Sequence, residues 1–575
     1  MTTDPTLIIR GGTIVDGSGG APLEGDVAIT GDRIVAVDRN IAARGTEEID
    51  ARGKVVAPGF VDIHTHYDGQ VTWSNRITPS SLHGVSTVVM GNCGVGFAPC
   101  KPTDHDLLIR LMEGVEDIPE PVLTAGLPWN WESFGDYLAA LDARSYDIDI
   151  ATQLPHAALR VYVMGERGAD REPATEADRG AMRRLAAQAV RDGALGFATS
   201  RTINHRASDG RHIPTLTAEE AELTDIALGL KDAGRGVLQV VSDLRDLDGE
   251  FAMLRRLVER SGRPLSISLA QTDRSPDRWR KTLDLIERAS SDGLPIKAQV
   301  AGRPVGLLLG FELSRNPFFT HPSYQKLAHL PLKARVVELR KPEVRTAILA
   351  EQPVDDRDVL MRIANYDKIF LLGDPPDYEQ PAENSLGAIA RRTGQRPEEV
   401  AYDAMLERDG TGMLYVPFLN YSAGDLEAAR AMLTHRDTIP GLGDGGAHCG
   451  IICDASFSTY LLTHWARDRR RGERLPIEWV VSAQARETAE AVGLRDRGVL
   501  KAGYKADVNV IDFDRLTLRA PEVVYDLPTG GRRLTQRAEG YEIAIVSGVV
   551  TQRDGRAVEG ALPGRLVRGA RSLAR

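Results

Sequence analysis

The sequence predicts an α/β protein, a (β/α)8 TIM-like barrel joined to a small β-sandwich domain built from both ends of the chain. Three observations carry that expectation. Short, near-continuous apolar runs recur eight times between residues 55 and 448, separated by helical stretches, as expected of a parallel sheet buried on both faces. The two ends of the chain show alternating apolar segments broken by Gly-Gly, Gly-Asp and Arg-Gly, the pattern of small hairpins. Potential metal ligands and proton-transfer groups then gather at the C-terminal ends of the eight runs, where a barrel carries its chemistry.

Taken in order, residues 1–56 hold LIIRGGTIVDG, GDVAITGDRIVAVD and EEIDARGKVVAP, the N-terminal part of the sandwich. The barrel is expected over residues 57–490, with the first run, VVAPGFVDIHTH, entering it. The other seven are VSTVVMGN, DIDIATQLPH, GALGFATS, GVLQVVSD, PLSISLAQ, LPIKAQVAG and IPGLGDGGAH. Between them, EADRGAMRRLAAQAVRD and DGEFAMLRRLVERSG place apolar residues at i, i+3 and i+4, the spacing of an amphipathic helix. Residues 303–438 are too many for one strand-to-helix connection and read as an insertion between the seventh and eighth strands that partly covers the site. Residues 491–575, with ADVNVIDFD and YEIAIVSGVVTQRDGRAV, return to the sandwich, since the two ends of a chain often lie close together.

Composition narrows the class. The chain of 575 residues is 42% hydrophobic and 26% charged, ordinary for a globular enzyme. A net charge of −10 argues against nucleic-acid binding, and no apolar run reaches the length of a membrane helix. The first residues, MTTDPTLIIRGGTIVDG, lack a basic segment followed by a long apolar one, so no signal peptide is expected. Four cysteines, Cys93, Cys100, Cys449 and Cys453, do not make a disulfide scaffold. The expected setting is the cytoplasm. Homo-oligomers are compatible with everything in the sequence.

The chemistry begins in GFVDIHTHYDGQ. His64 and His66 are two residues apart, so on an extended strand both imidazoles project from one face, and neutral imidazole is the commonest protein metal ligand. The other run ends supply Asn92-Cys93-Gly94, His156, Thr199-Ser200-Arg201 followed by His205, Ser242-Asp243, Gln271, and Asp444 with His448 in GDGGAH. Such a set suits metal-assisted hydrolysis: a divalent cation such as Zn²⁺ polarises a scissile carbonyl and acidifies water, while a carboxylate moves the proton to the leaving amine. Asp444 fits the carboxylate role. Arg201, Arg206 and Arg274 lie beyond the fourth and sixth runs, where a guanidinium clamps an anion. The Cys449/Cys453 pair lacks the two further neighbouring ligands of a zinc clip.

The stretches LIIRGGTIVDGSG, PGFVDIHTHYD, GVSTVVMGNCGVGFAP, DGALGFATSR, GDGGAH and GVLKAGYKADVNVIDFD resemble the amidohydrolase superfamily, in particular its N-acyl-D-amino-acid deacylase branch. The resemblance implies hydrolysis of an amide in a small molecule. It also implies metal ligation by His64, His66, Cys93 and Asp444, with Asp444 as general base. Substrate contact or support behind the ligands falls to His156, Arg201, His205 and His448. One zinc ion is expected, with two possible.

The resemblance breaks at two places. The branch supplies further metal histidines from the fifth and sixth strands, in segments like THIR and SHHK. This chain has VVSDLRD and SISLAQTD there, and no histidine between His212 and His321. Three outcomes are compatible with the loss: a pared-down site with one metal, a rearranged site using Asp243, Gln271 or His205, or loss of metal catalysis altogether. The competing functions are a linear-amide hydrolase, a hydrolase of a cyclic amide or another acylated metabolite whose recognition residues have changed, and a non-catalytic scaffold.

Overall fold

A computed structural model describes residues 5–352, 363 and 365–569, and in it the eight apolar runs become eight strands. In chain order β1 to β8 are Phe60–Asp62, Val85–Met90, Asp149–Thr152 with its continuation Leu154–Pro155, Gly196–Arg201, Val237–Ser242, Leu265–Leu269, Ile296–Ala301 and Thr438–Gly441. Each pairs in parallel with the next. A parallel bridge between Thr65 and Gly445 joins the ends of β1 and β8 and closes the barrel. The strands read as unbroken apolar runs because one face packs inside the barrel and the other against the helices; all six residues of β2 are buried.

The helices follow the predicted stripes. Glu176–Asp192 starts at Thr175, whose side chain and that of Asp178 form a reciprocal capping box, satisfying two otherwise orphaned N–H groups. It buries Met182, Ala186, Ala187, Ala189 and Val190. Leu247–Ser261 is capped by Asp246 and stops at Gly262, at φ +65°, a left-handed position that glycine takes without strain.

The first run is two strands rather than one. Val55–Pro58 belongs to the terminal sheet, antiparallel to Val508–Ile511, and β1 starts only after Gly59. A Cβ on Gly59 would lie 2.3 Å from Ser86 Oγ, so the chain passes from sheet to barrel through a gap only glycine fits.

Both ends of the chain build the sandwich domain from one hydrogen-bonded sheet. Its order is Arg33–Asp38, Leu23–Thr30, Leu7–Ile14, Val55–Pro58, Val508–Ile511, Tyr541–Val546, Val549–Arg553 and Arg556–Ala557, with Glu47–Asp50 added beside Leu7–Ile14. It wraps its own apolar core, which includes Ile9, Val27, Ile29, Val508 and Ile545. Buried charges fasten it to the barrel: Asp149 at the start of β3 accepts from Arg497 (2.8 Å) and Lys505. Between its strands, the hairpin Glu522–Leu527 with Gly531–Thr535 reaches the barrel mouth, where Leu534 N–H donates to Cys449 O (2.6 Å).

The segment between β7 and β8 has a core of its own, around Phe311, Phe318, Tyr402 and Met405. Its antiparallel strands Val305–Leu309, Leu414–Leu419 and Phe370–Leu371 rest on the barrel's C-terminal rim. Asn420 N–H donates to Gln271 O (3.0 Å), and Leu308 N–H to Ile451 O (2.7 Å). No helix among the described residues is long and apolar enough to cross a membrane.

Candidate metal centre

The segment after β1 stays extended because both of its edges are bonded. Thr65 N–H donates to Val89 O (3.1 Å), His66 N–H to Gly445 O (2.8 Å), and Asp444 N–H to His64 O (3.0 Å). Side chains therefore keep alternating, and the rings of His64 and His66 face the same way, with centroids 5.6 Å apart. Cys93 arrives from the turn after β2 at φ +54°, with its N–H donating to Gln239 Oε1 on β5 (3.3 Å). Asp444 and His448 also hold left-handed backbone, at φ +46° and +53°. Non-glycine residues pay for that conformation, and such strain clusters at functional sites.

The three strand ends meet at one point. Ligand atoms of His64, His66 and Cys93 all lie within 4.8 Å of one another. Cys93 Sγ is 3.4 Å from His64 Nε2. Asp444 Oδ1 is 3.4 Å from His64 Nε2 and 3.6 Å from His66 Nε2. His64 donates its Nδ1–H to Gln299 Oε1 on β7 (2.7 Å), which leaves the Nε2 lone pair aimed at the centre. Both ring nitrogens of His66 and Asp444 Oδ1 are buried without a hydrogen-bond partner. Each such orphan costs about 1–3 kcal/mol, and a cation among them removes that cost. Two imidazoles, a thiolate and a carboxylate are a zinc-type donor set, so the residues present fit the implied metal.

The electrostatics bear on that fit group by group: against its burial, Glu116, Asp444 and Cys93 raise His66 well above its ordinary value, so this ring sheds a proton when it ligates. Burial pushes the Cys93 thiol up to about 12, so a thiolate here needs a cation beside it, and binding releases a proton. Burial lowers His64 to about 4, leaving it neutral, the ligand form. Burial alone would raise the Asp444 carboxyl, but the closeness of His66, with His64 and His448 beside it, holds it well below the usual carboxylate range.

The other predicted residues divide. His448 faces Glu116, its Nε2 3.7 Å from Glu116 Oε2. His205 pairs with Ser200 Oγ (2.9 Å), and burial together with the fields of His66, His448 and His64 lowers it to about 3 against the opposing field of Asp444. His156 turns away. Its Nδ1 meets Thr199 Oγ1 (2.8 Å) and its Nε2 meets Glu222 Oε1 (2.8 Å), so neither nitrogen is free for substrate or metal. Arg201 donates to Ala218 O (2.6 Å) and lies 3.8 Å from Glu250, tying it to the β4–β5 side rather than to the centre. Asp243 accepts from Thr202 Oγ1 (2.6 Å) and Ile203 N–H (3.0 Å). Gln271 Oε1 accepts from Ser422 N–H (3.2 Å). These two stand-ins for the missing histidines are spent on loops.

Sequence reasoning missed Glu116 and Gln299. Glu116 ends the helix His105–Glu116, whose buried face is Leu108, Ile109, Leu111, Met112, Val115 and Glu116 itself. A carboxylate on the apolar stripe of an amphipathic helix was the available signal. Beside Asp444 and His448 lies a narrow cleft of ≈ 20 Å³, walled by Trp73, Ile118, Leu527 and Leu534. Cys449 and Cys453 also line it and are unpaired.

A closed (β/α)8 barrel with histidine, cysteine and aspartate converging at its mouth defines a metal-dependent hydrolase. The Amidohydrolase family profile matches residues 47–556, and the chain belongs to that family, hydrolases of carbon–nitrogen bonds other than peptide bonds. It is 33% identical over 293 residues to the N-acyl-D-aspartate deacylase of Alcaligenes xylosoxydans xylosoxydans, a match spanning 50% of this chain and 53% of that protein. It is 27% identical to the D-aminoacylase of the same organism, over 94% of this chain and 93% of that one. A solved D-aminoacylase with a binuclear metal centre superposes with a TM-score of 0.66 at 23% identity, covering 98% of this chain and all of that one (100%).

Proposed function

We propose that the chain hydrolyses a linear amide in a small acylated molecule, with one zinc-class cation held by His64, His66, Cys93 and Asp444. The observation that carries this is the cluster of His64, His66 and Cys93 ligand atoms within 4.8 Å of one another, with the unpartnered Asp444 Oδ1 3.4 Å from His64 Nε2 and 3.6 Å from His66 Nε2. The cation supplies Lewis acidity toward the scissile carbonyl and toward water. Asp444, kept ionised, takes the proton of the attacking water and delivers it to the leaving nitrogen. His448, which lines the cleft, orients the substrate by hydrogen bonding. Relatives named as deacylases of N-acyl-D-amino acids support this substrate class. The four buried, unpaired cysteines support a cytoplasmic setting.

A second reading has an observation of its own. The guanidinium in the cleft wall, Arg533, already serves Asp526, Thr78 and Gln70, so recognition beside Asp444 falls to the apolar lining. That favours an amide whose group in the cleft is uncharged, cyclic or linear.

The test is metal analysis by mass spectrometry on the purified protein and on His66→Ala and Asp444→Ala. About one equivalent, lost in both variants, is the expected result. No metal after reconstitution overturns the mechanism, and two equivalents would bring His205 into the ligand set. Turnover of N-acetyl D-amino acids against lactams and neutral amides then separates the two readings.

A further inference from the structure

We propose that Glu116 is a positioning residue of the metal centre, fixing the donor nitrogen of His66 and fastening the loop that carries Asp444 and His448. The inference rests on the metal assignment above. For His66 to offer Nε2 to a cation, the proton of the neutral ring must sit on Nδ1, and that N–H needs an acceptor. Glu116 Oε1 lies 3.3 Å from His66 Nδ1. Both atoms are buried and neither makes a well-aligned hydrogen bond, to the other or to anything else, so the approach is an ion-pair contact that a small turn of the ring on metal binding converts into an N–H···O bond. The carboxylate is 1% exposed and water does not compete for it. Such an acceptor behind a ligating histidine fixes its tautomer and strengthens it as a donor.

The same residue ties two loops together. Its Oε2 faces His448, its backbone carbonyl accepts from His448 N–H, and the next side chain, Asp117 Oδ2, accepts from Gly450 N–H (3.0 Å). The end of one helix thus holds the loop after β8 from below and the ligand after β1 from the side. His64 has its acceptor in the neutral amide of Gln299, so the two histidine ligands are supported differently, one by an amide and one by a carboxylate.

The experiment measures zinc dissociation constants by chelator competition for wild type, Glu116→Ala, Glu116→Gln and His66→Ala, with thermal unfolding as the control for folding. His66→Ala should lose the metal, and Glu116→Ala should bind it about 10–100-fold more weakly. At saturating zinc Glu116→Ala should lower kcat with little change in KM. Glu116→Gln, which keeps an oxygen acceptor without the charge, should recover part of the affinity. Zinc bound by Glu116→Ala as tightly as by wild type overturns the proposal while leaving the centre in place. Zinc retained by His66→Ala overturns the centre and the proposal together. If Glu116→Ala does not fold, Glu116→Gln decides, with wild-type affinity and kcat as the overturning result.

Discussion

At the scale of single residues, position at a strand end does not say which way a side chain turns. The shared facing of His64 and His66 was legible from period-two alternation, whereas Cys93 and Asp444 were singled out by their places at strand ends and by the resemblance to the deacylase branch. His156 stands at an equivalent strand end, yet it begins the helix His156–Met164 and both of its nitrogens are consumed by Thr199 and Glu222. Its removal is therefore a matter of stability. His156→Ala deletes a hydrogen bond to a buried carboxylate, worth about 1.5–3 kcal/mol, and leaves Glu222 with Arg160 alone. The variant should unfold at a lower temperature and still carry the wild-type metal equivalents. A folded His156→Ala that has lost its metal would show that the residue belongs to the centre after all. Glu116 was legible as a buried carboxylate on an apolar helix stripe but not as a neighbour of the centre. Its partner His66 is far away in sequence, and no local pattern announces a contact made only when a barrel closes.

At the scale of elements, all eight strands were legible, because burial on both faces leaves a near-continuous apolar run that helices and hairpins do not imitate. What the sequence did not disclose was how the 303–438 segment attaches, since that depends on charges meeting across 150 residues. Arg303, just beyond β7, donates to Ser456 Oγ (3.0 Å) and Asp454 Oδ1 (2.6 Å) and stacks 4.1 Å from the ring centroid of Tyr378. It pins the insertion to the loop after β8, at Asp454 in the wall of the cleft. Removing one partner of a buried ion pair costs about 3–5 kcal/mol because the other charge stays behind. In Arg303→Ala that loss should appear locally, as faster hydrogen exchange in Val305–Leu309 and Leu414–Leu419 with β2 protected as before. Equal exchange in the insertion strands of both proteins would mean that Arg303 is no clamp.

At the scale of the whole molecule, the parts are joined at seams that each bury a carboxylate. Burial alone would raise all three, but their cationic partners win. His156 and Arg160 hold Glu222 at about 2, between barrel and helix. His464 and Arg469 hold Glu379 at about 2, between insertion and barrel. Lys505 and Arg497 lower Asp149, between barrel and terminal sheet. A carboxylate whose pKa is depressed on folding contributes stability that is complete above its unfolded value, 4.5 for glutamate, and is lost as pH falls toward the folded value near 2. A buried neutral histidine acts in the same direction over a higher range: burial lowers His83 from 6.5 to about 3, so the unfolded chain gains its proton first. The unfolding temperature should therefore decline gently below about pH 6.5 and steeply below about 4.5. Glu379→Gln should be less stable than wild type at neutral pH, because Arg469 loses its counter-charge, yet it should lose less between pH 4.5 and 2. Circular dichroism melts of both proteins across that range check it. Parallel acid limbs would mean that the insertion seam takes no part, and that acid opens the molecule through its other two joints.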